Sequence, residues 1–214
     1  GTDQIDNQTA AFLNGLYAEY NSKIDSLANA PAPLLSQEEA ARRKIVFNGG
    51  MLNTFVVIDP KLTQRLNLPK YRQIVPGELL TLTTNSDSLL CFGLGTAVPI
   101  NPRKHLTLDE IAQIENAVAS YNAVIKSAAT SNQLAFVDVN ARLNELATVG
   151  ITISGINFTS ELVRGGAFSL DGVHPSTRGY AIIANDFIEA INKTYNANIP
   201  RVDITKFPAL ETAL

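Results

Sequence analysis

Apolar residues recur at helical spacing along residues 9–27. Phe12, Leu16, Tyr20 and Ile24 fall four apart, and Leu13, Tyr17 and Leu27 widen the stripe, which predicts an amphipathic helix. Ala30-Pro31-Ala32-Pro33 stops it. Ser36 and Glu39 have capping-box spacing, so a short helix should follow through Lys44. Two β-rich apolar runs, Ile45–Phe47 and Phe55–Ile58, flank Asn48-Gly49-Gly50 and predict strand or extended chain. Pro60, Pro69 and Pro76-Gly77 then punctuate the pattern, with Leu79–Thr83 as a short strand. Residues 85–102 read mainly as loop, long enough to be functional or a covering insertion.

The second half is more regular. Thr107 and Glu110 form another capping box, and Ile111, Ile114, Val118, Tyr121, Ile125 and Ala128 keep the helical period to Ala129. Leu134–Val139 is almost continuously apolar, as expected of a buried parallel strand. A short helix over 141–147 and a hairpin around Ser154-Gly155 come next. The final helix runs from Thr177 to Tyr195, with Ile183, Phe187, Ile191 and Tyr195 four apart and Ser176 as its N-cap. Tyr121 and Phe187, on apolar helical faces, are expected in the core. Helix, strand and helix in this order fit an α/β layer fold. The expected organisation is a helical, loop-rich region over 1–106, an α/β part over 107–198 and a surface tail over 199–214.

Composition narrows the function. The 214 residues are 45% hydrophobic and 17% charged, which suits a globular chain. A net charge of −3 gives no affinity for phosphate backbones, so no nucleic-acid partner is expected. Arg42-Arg43-Lys44 is the only basic run and reads as a solvated helix end. No stretch approaches the roughly 18–20 apolar residues of a transmembrane helix. Cys91 is the single cysteine, expected as a small buried residue. His105, beside Pro102-Arg103-Lys104, reads as an exposed loop residue. No H-x-x-x-H or H-E-x-x-H spacing exists, so no metal is expected from the residues. The chain opens on Gly1 in place of Met, which reads as a processed or engineered start.

One segment carries chemistry. In Phe168-Ser169-Leu170-Asp171-Gly172-Val173-His174-Pro175-Ser176, Gly172 permits a tight turn and Pro175 disfavours helix at His174. Such a turn can fold the Asp171 carboxylate against the His174 imidazole, fixing its tautomer and stabilising the imidazolium. The block DGVHPSTRGYAIIANDFIEAI resembles the last block of SGNH/GDSL hydrolases, where Asp-x-x-His-Pro precedes the closing helix. The preceding LAFVDVN and long amphipathic helix resemble that family's final repeat.

The resemblance implies a partial SGNH (flavodoxin-like) three-layer α/β fold with a helical, loop-rich N-terminal insertion. It implies a serine ester hydrolase acting on small-molecule, lipid or carbohydrate esters without cofactor. Asp171 would be the acid and His174 the base. It also implies an extracytoplasmic setting, periplasmic, cell-surface or secreted.

The sequence departs from the family at the nucleophile. No Gly-Asp-Ser-Leu block is present. The candidate is Ser88 in Asn85-Ser86-Asp87-Ser88-Leu89, but Ser86 replaces the glycine, and only one long helix is read between Ser88 and Asp171. A locally bonded Asn/Asp/Ser turn is the plainer reading. Gly155-Ile156-Asn157 is the nearest match to the family's oxyanion-hole Gly-x-Asn-Asp segment, yet it falls in the expected hairpin. The favoured reading is a C-terminal portion whose serine lies upstream in the same polypeptide, leaving this chain alone inactive. The alternative is a non-catalytic ligand- or glycan-binding domain derived from such a hydrolase.

Overall fold

The computed structural model describes residues 4–208, apart from the side chains of residues 86 and 90. Six α-helices, two single-turn 3-10 helices (Pro102–Lys104 and Ile204–Lys206) and three two-stranded antiparallel sheets make up the regular structure among these residues. The chain divides into two compact units, Gly1–Glu115 and Asn116–Leu214. Mixed helix and small sheet is α/β only in the general sense. No helix among the described residues is long and apolar enough to cross a membrane.

In the first unit α1 (Asn7–Ala28) is capped by Asp6 and buries Leu13, Tyr17, Tyr20 and Ile24. The buried stripe is rotated from the expected one, because Phe12 and Leu16 face solvent. Ile45–Phe47 is extended but joins no ladder. Asn21 accepts from the Ile45 amide and donates to its carbonyl, and Asn14, one heptad earlier, does the same for Phe47. Side chains of α1 thus satisfy backbone groups that a strand neighbour would otherwise take.

Helix α2 (Gln37–Arg43) starts at the expected Ser36 cap. Its last turn corrects the reading of a solvated basic run. Arg43 is fully buried, bonded to Glu39 and to the carbonyls of Pro69 and Thr63, while Arg42 and Lys44 stay partly exposed.

Strands β1 (Val56–Ile58) and β2 (Tyr71–Gln73) pair in the register Val57 to Arg72. The expected 79–83 strand shrinks to β3 (Leu79–Leu80), which pairs with β4 (His105–Leu106). Between them lies the short α3 (Ser86–Cys91). Cys91, expected to be buried, is exposed at its end.

Helix α4 (Leu108–Ser131) begins at the expected capping box: Glu110 accepts from the Thr107 amide and hydroxyl, and the Thr107 hydroxyl from the Glu110 amide. In the second unit it is followed by the chain's largest departure from pattern. Leu134–Val139 was expected as a buried parallel strand, but residues 134–138 join no strand ladder and stay partly exposed, and the Val137 carbonyl accepts from the Val139 amide as α5 begins. Tyr121 and Phe187, expected in the core, are also exposed. Apolar composition marks a segment as suited to burial, but a strand also needs a neighbouring backbone.

Helix α5 (Val139–Thr148), the hairpin of β5 (Ile151–Ile153) and β6 (Ile156–Phe158), and α6 (Thr177–Tyr195) fall where expected. Their shared core holds Leu146, Ile151, Phe158, Ala167, Ala181, Ile182 and Ile204. Ile204 comes from the expected surface tail, whose residues up to 208 dock on α6. Asn185 brackets the Val202 backbone and Asn192, again one heptad away, brackets Ile199. The rest of that tail, 209–214, lies outside the described residues.

Candidate active site

The Asp-x-x-His segment leaves the core of the second unit and returns to it within a few residues. Phe168 and Pro175 form an antiparallel bridge, and the Ser169 amide donates to the His174 carbonyl at 2.8 Å. The Gly172 amide donates to the Ser169 carbonyl at 3.1 Å, closing the turn. Gly172 has φ +70°, the left-handed region that favours glycine.

Inside this turn the Asp171 carboxylate is saturated. Oδ1 accepts from the Ser169 hydroxyl at 2.7 Å and from the amides of Val173 and His174, each at 2.9 Å. Oδ2 lies 2.6 Å from His174 Nδ1. The His174 ring, then the Ser169 hydroxyl and the two amides, hold the Asp171 carboxyl well below the usual carboxylate range. An ionised Asp171 accepts from N–H, which assigns a proton to Nδ1 and makes Nε2 the acceptor of the neutral ring. Among the described residues Nε2 has no hydrogen-bond partner, and the His174 side chain is 70% exposed.

The start of α6 anchors the turn. The Ser176 amide donates to the Ala167 carbonyl and its hydroxyl to the Gly166 carbonyl, while that hydroxyl accepts from the Gly179 amide. Gly179 sits so close to the preceding loop that a Cβ there would lie 2.3 Å from the Ala167 carbonyl oxygen. Arg178 ties the same turn to the tail by donating to the carbonyls of Phe207 and Pro208.

The sequence-predicted residues divide as follows. Asp171 and His174 come together. Ser88 belongs to the first unit, in the first turn of α3, where the Asn85 side chain accepts from the amides of Asp87 and Ser88. That is the locally bonded turn anticipated for this segment. Gly155 and Asn157 lie in the β5–β6 hairpin, with Asn157 accepting from the Thr152 hydroxyl at 3.3 Å. Ser169 was missed as a site residue. A hydroxyl two positions before the acid is the only sequence signal for it, and that spacing is common in ordinary turns.

His105 corrects the exposed-loop reading. It is 2% exposed on β4, and neither ring nitrogen has a hydrogen-bond partner. The loop signal of Pro102 ended three residues too early to describe it, because the chain turns inward to pair with β3. Burial pushes the imidazole down from its ordinary pKa, opposed by the Glu78 carboxylate. Beside it, Arg72 forms a buried ion triad, with Nε 2.6 Å from Asp59 and the guanidinium donating to both Glu78 carboxylate oxygens. Each residue of the triad spends its charge on the others, so the cluster reads as structural.

No group of three or more His, Cys, Asp or Glu side chains suited to a metal ion occurs among the described residues. Comparison of the chain with protein-family models, characterised proteins and solved structures finds no match.

Proposed function

We propose that Asp171 and His174 are the acid and base of a serine ester hydrolase of SGNH/GDSL type, with the attacking serine supplied from outside these residues. The observation that carries the reading is the 2.6 Å contact of His174 Nδ1 with Asp171 Oδ2, on an exposed imidazole whose Nε2 has no partner among the described residues. In this arrangement Nε2 takes the serine proton as the ester is attacked and returns it to the leaving alkoxide. Asp171 stabilises the imidazolium formed between those steps. The substrate class follows from the same reading: an ester of a small molecule, lipid or carbohydrate, cleaved without metal or organic cofactor in an extracytoplasmic setting. The three-layer SGNH fold is part of the proposal.

A fluorophosphonate probe followed by mass spectrometry tests it. The expected result is no labelling of this chain alone. In a polypeptide that also carries the nucleophile, stoichiometric labelling of one serine should disappear in His174→Ala. Labelling of Ser88 in this chain, lost in His174→Ala, would overturn the external nucleophile. Absence of labelling in every longer polypeptide containing the chain would favour a ligand-binding domain instead.

A further inference from the structure

The Ser169 side chain touches the Asp171–His174 pair without being needed to close the turn. The Ser169 backbone already does that: its amide donates to the His174 carbonyl at 2.8 Å, and its carbonyl accepts from the Gly172 amide at 3.1 Å. The Phe168–Pro175 bridge joins the two arms behind it. None of these bonds involves the Ser169 hydroxyl, which donates to Asp171 Oδ1 at 2.7 Å. The same oxygen accepts from the Val173 and His174 amides, each at 2.9 Å, while Oδ2 lies against His174 Nδ1. Those amides follow Asp171 in the chain and the hydroxyl precedes it, so the carboxylate is held from both sides. A half-exposed aspartate without such a clamp samples a broad range of carboxylate rotation. After the His174 ring, the Ser169 hydroxyl is the strongest of the contacts that keep this carboxyl ionised.

We propose that Ser169 is a positioning residue: its hydroxyl fixes the plane of the Asp171 carboxylate so that Oδ2 stays on His174 Nδ1. A carboxylate held there favours the ring tautomer with its proton on Nδ1, in which Nε2 is the acceptor. The other tautomer presents Nε2 as a donor and cannot act as a base at that atom. A hydroxyl suits the task because it donates one bond and carries no charge, leaving the negative charge of Asp171 to the ring. The catalytic meaning of this contact rests on the proposed hydrolase activity, but its effect on the ring does not.

Nitrogen-15 NMR of the His174 imidazole in this chain tests it, at a pH high enough for the ring to be neutral. The two ring nitrogens then give the ratio of Nδ1–H to Nε2–H tautomers, and the wild type should favour Nδ1–H. Ser169→Ala removes the hydroxyl alone and should lower that ratio about threefold to tenfold, the range of one hydrogen bond. Ser169→Thr keeps a hydroxyl donor and should restore it, and Ser169→Cys, a weak donor, should fall between. Circular dichroism and the melting midpoint check that each variant is folded. A ratio that folded Ser169→Ala and Ser169→Cys both leave unchanged would overturn the proposal, as would a folded threonine variant that fails to restore it. A ratio that rises on loss of the hydroxyl sinks it too, since the hydroxyl would then weaken the acceptor and not aim it. The spectra need no attacking serine, so their failure removes Ser169 and leaves the hydrolase reading to the fluorophosphonate experiment.

Discussion

Asp171 grips His174 at two points, with Oδ2 on the ring Nδ1 at 2.6 Å and Oδ1 on the His174 amide at 2.9 Å. One carboxylate therefore fixes both the backbone and the imidazole of the same residue. Exchange for asparagine keeps the shape and loses the charge. On the proposed hydrolase reading, in a polypeptide that carries an attacking serine, Asp171→Asn should lower kcat on the order of 10⁴-fold with little change in KM, as expected when the acid of a triad is neutralised. Steady-state hydrolysis of a chromogenic short-chain ester measures it. An undiminished kcat would remove Asp171 from the catalytic machinery.

Gly179 sets the seat of that turn. A Cβ would lie 2.3 Å from the Ala167 carbonyl oxygen and 3.0 Å from Pro175 Cβ. Gly179→Ala, which would help an isolated helix, should instead destabilise the second unit by about 1–3 kcal/mol through overpacking. Urea unfolding followed by hydrogen exchange of α6 amides reads this. A stabilised variant would show that the loop gives way freely.

The buried triad around Arg72 makes a larger demand. Arg72→Met leaves Asp59 and Glu78 buried without their cation, and should cost about 3–5 kcal/mol. The denaturant midpoint of the first unit is the measurement. A loss below about 1 kcal/mol would mean that water reaches both carboxylates.

His105 should make the first unit sensitive to acid. Its folded pKa lies below the ordinary value of about 6.5, because burial disfavours the imidazolium. Above that value neither state binds the proton, and the stability is fully present. As pH falls from about 6.5 toward the lower folded value, the unfolded chain takes up a proton that the folded one refuses, so stability declines. Unfolding midpoints between pH 7.5 and 4.5 should show this fall in the wild type and a shallower one in His105→Leu. Identical slopes would assign the acid sensitivity to other groups.

Much of the helical pattern was legible because it is local. The Ser36, Thr107 and Ser176 caps and the hairpin at Ser154-Gly155 depend on residues within four positions of one another, and each forms where its spacing predicts. The Asp171–His174 contact belongs to the same class, since Gly172 and Pro175 shape it within a single turn. Ser88 was legible only as a word, Asp-Ser-Leu, and its capped turn in α3 is local too.

The elements that sequence by itself determined are therefore those whose partners lie within about one turn of chain: caps, turns, helix periods and the Asp171–His174 contact. Tertiary structure alone decided which apolar residues found cover and which polar ones were buried. His105 and Arg43 were drawn inside by the β3–β4 ladder and by the Pro69 and Thr63 carbonyls, contacts that no nearby spacing encodes. Phe12, Tyr121 and Phe187 were left outside although their periodicity suits a core. Hydrophobicity states a preference for burial, but the neighbour that satisfies it comes from distant chain. The same reason separates Ile45–Phe47, whose backbone is met by asparagines of α1, from residues 134–138, which join no strand ladder and whose backbone finds partners among the described residues only at its two ends.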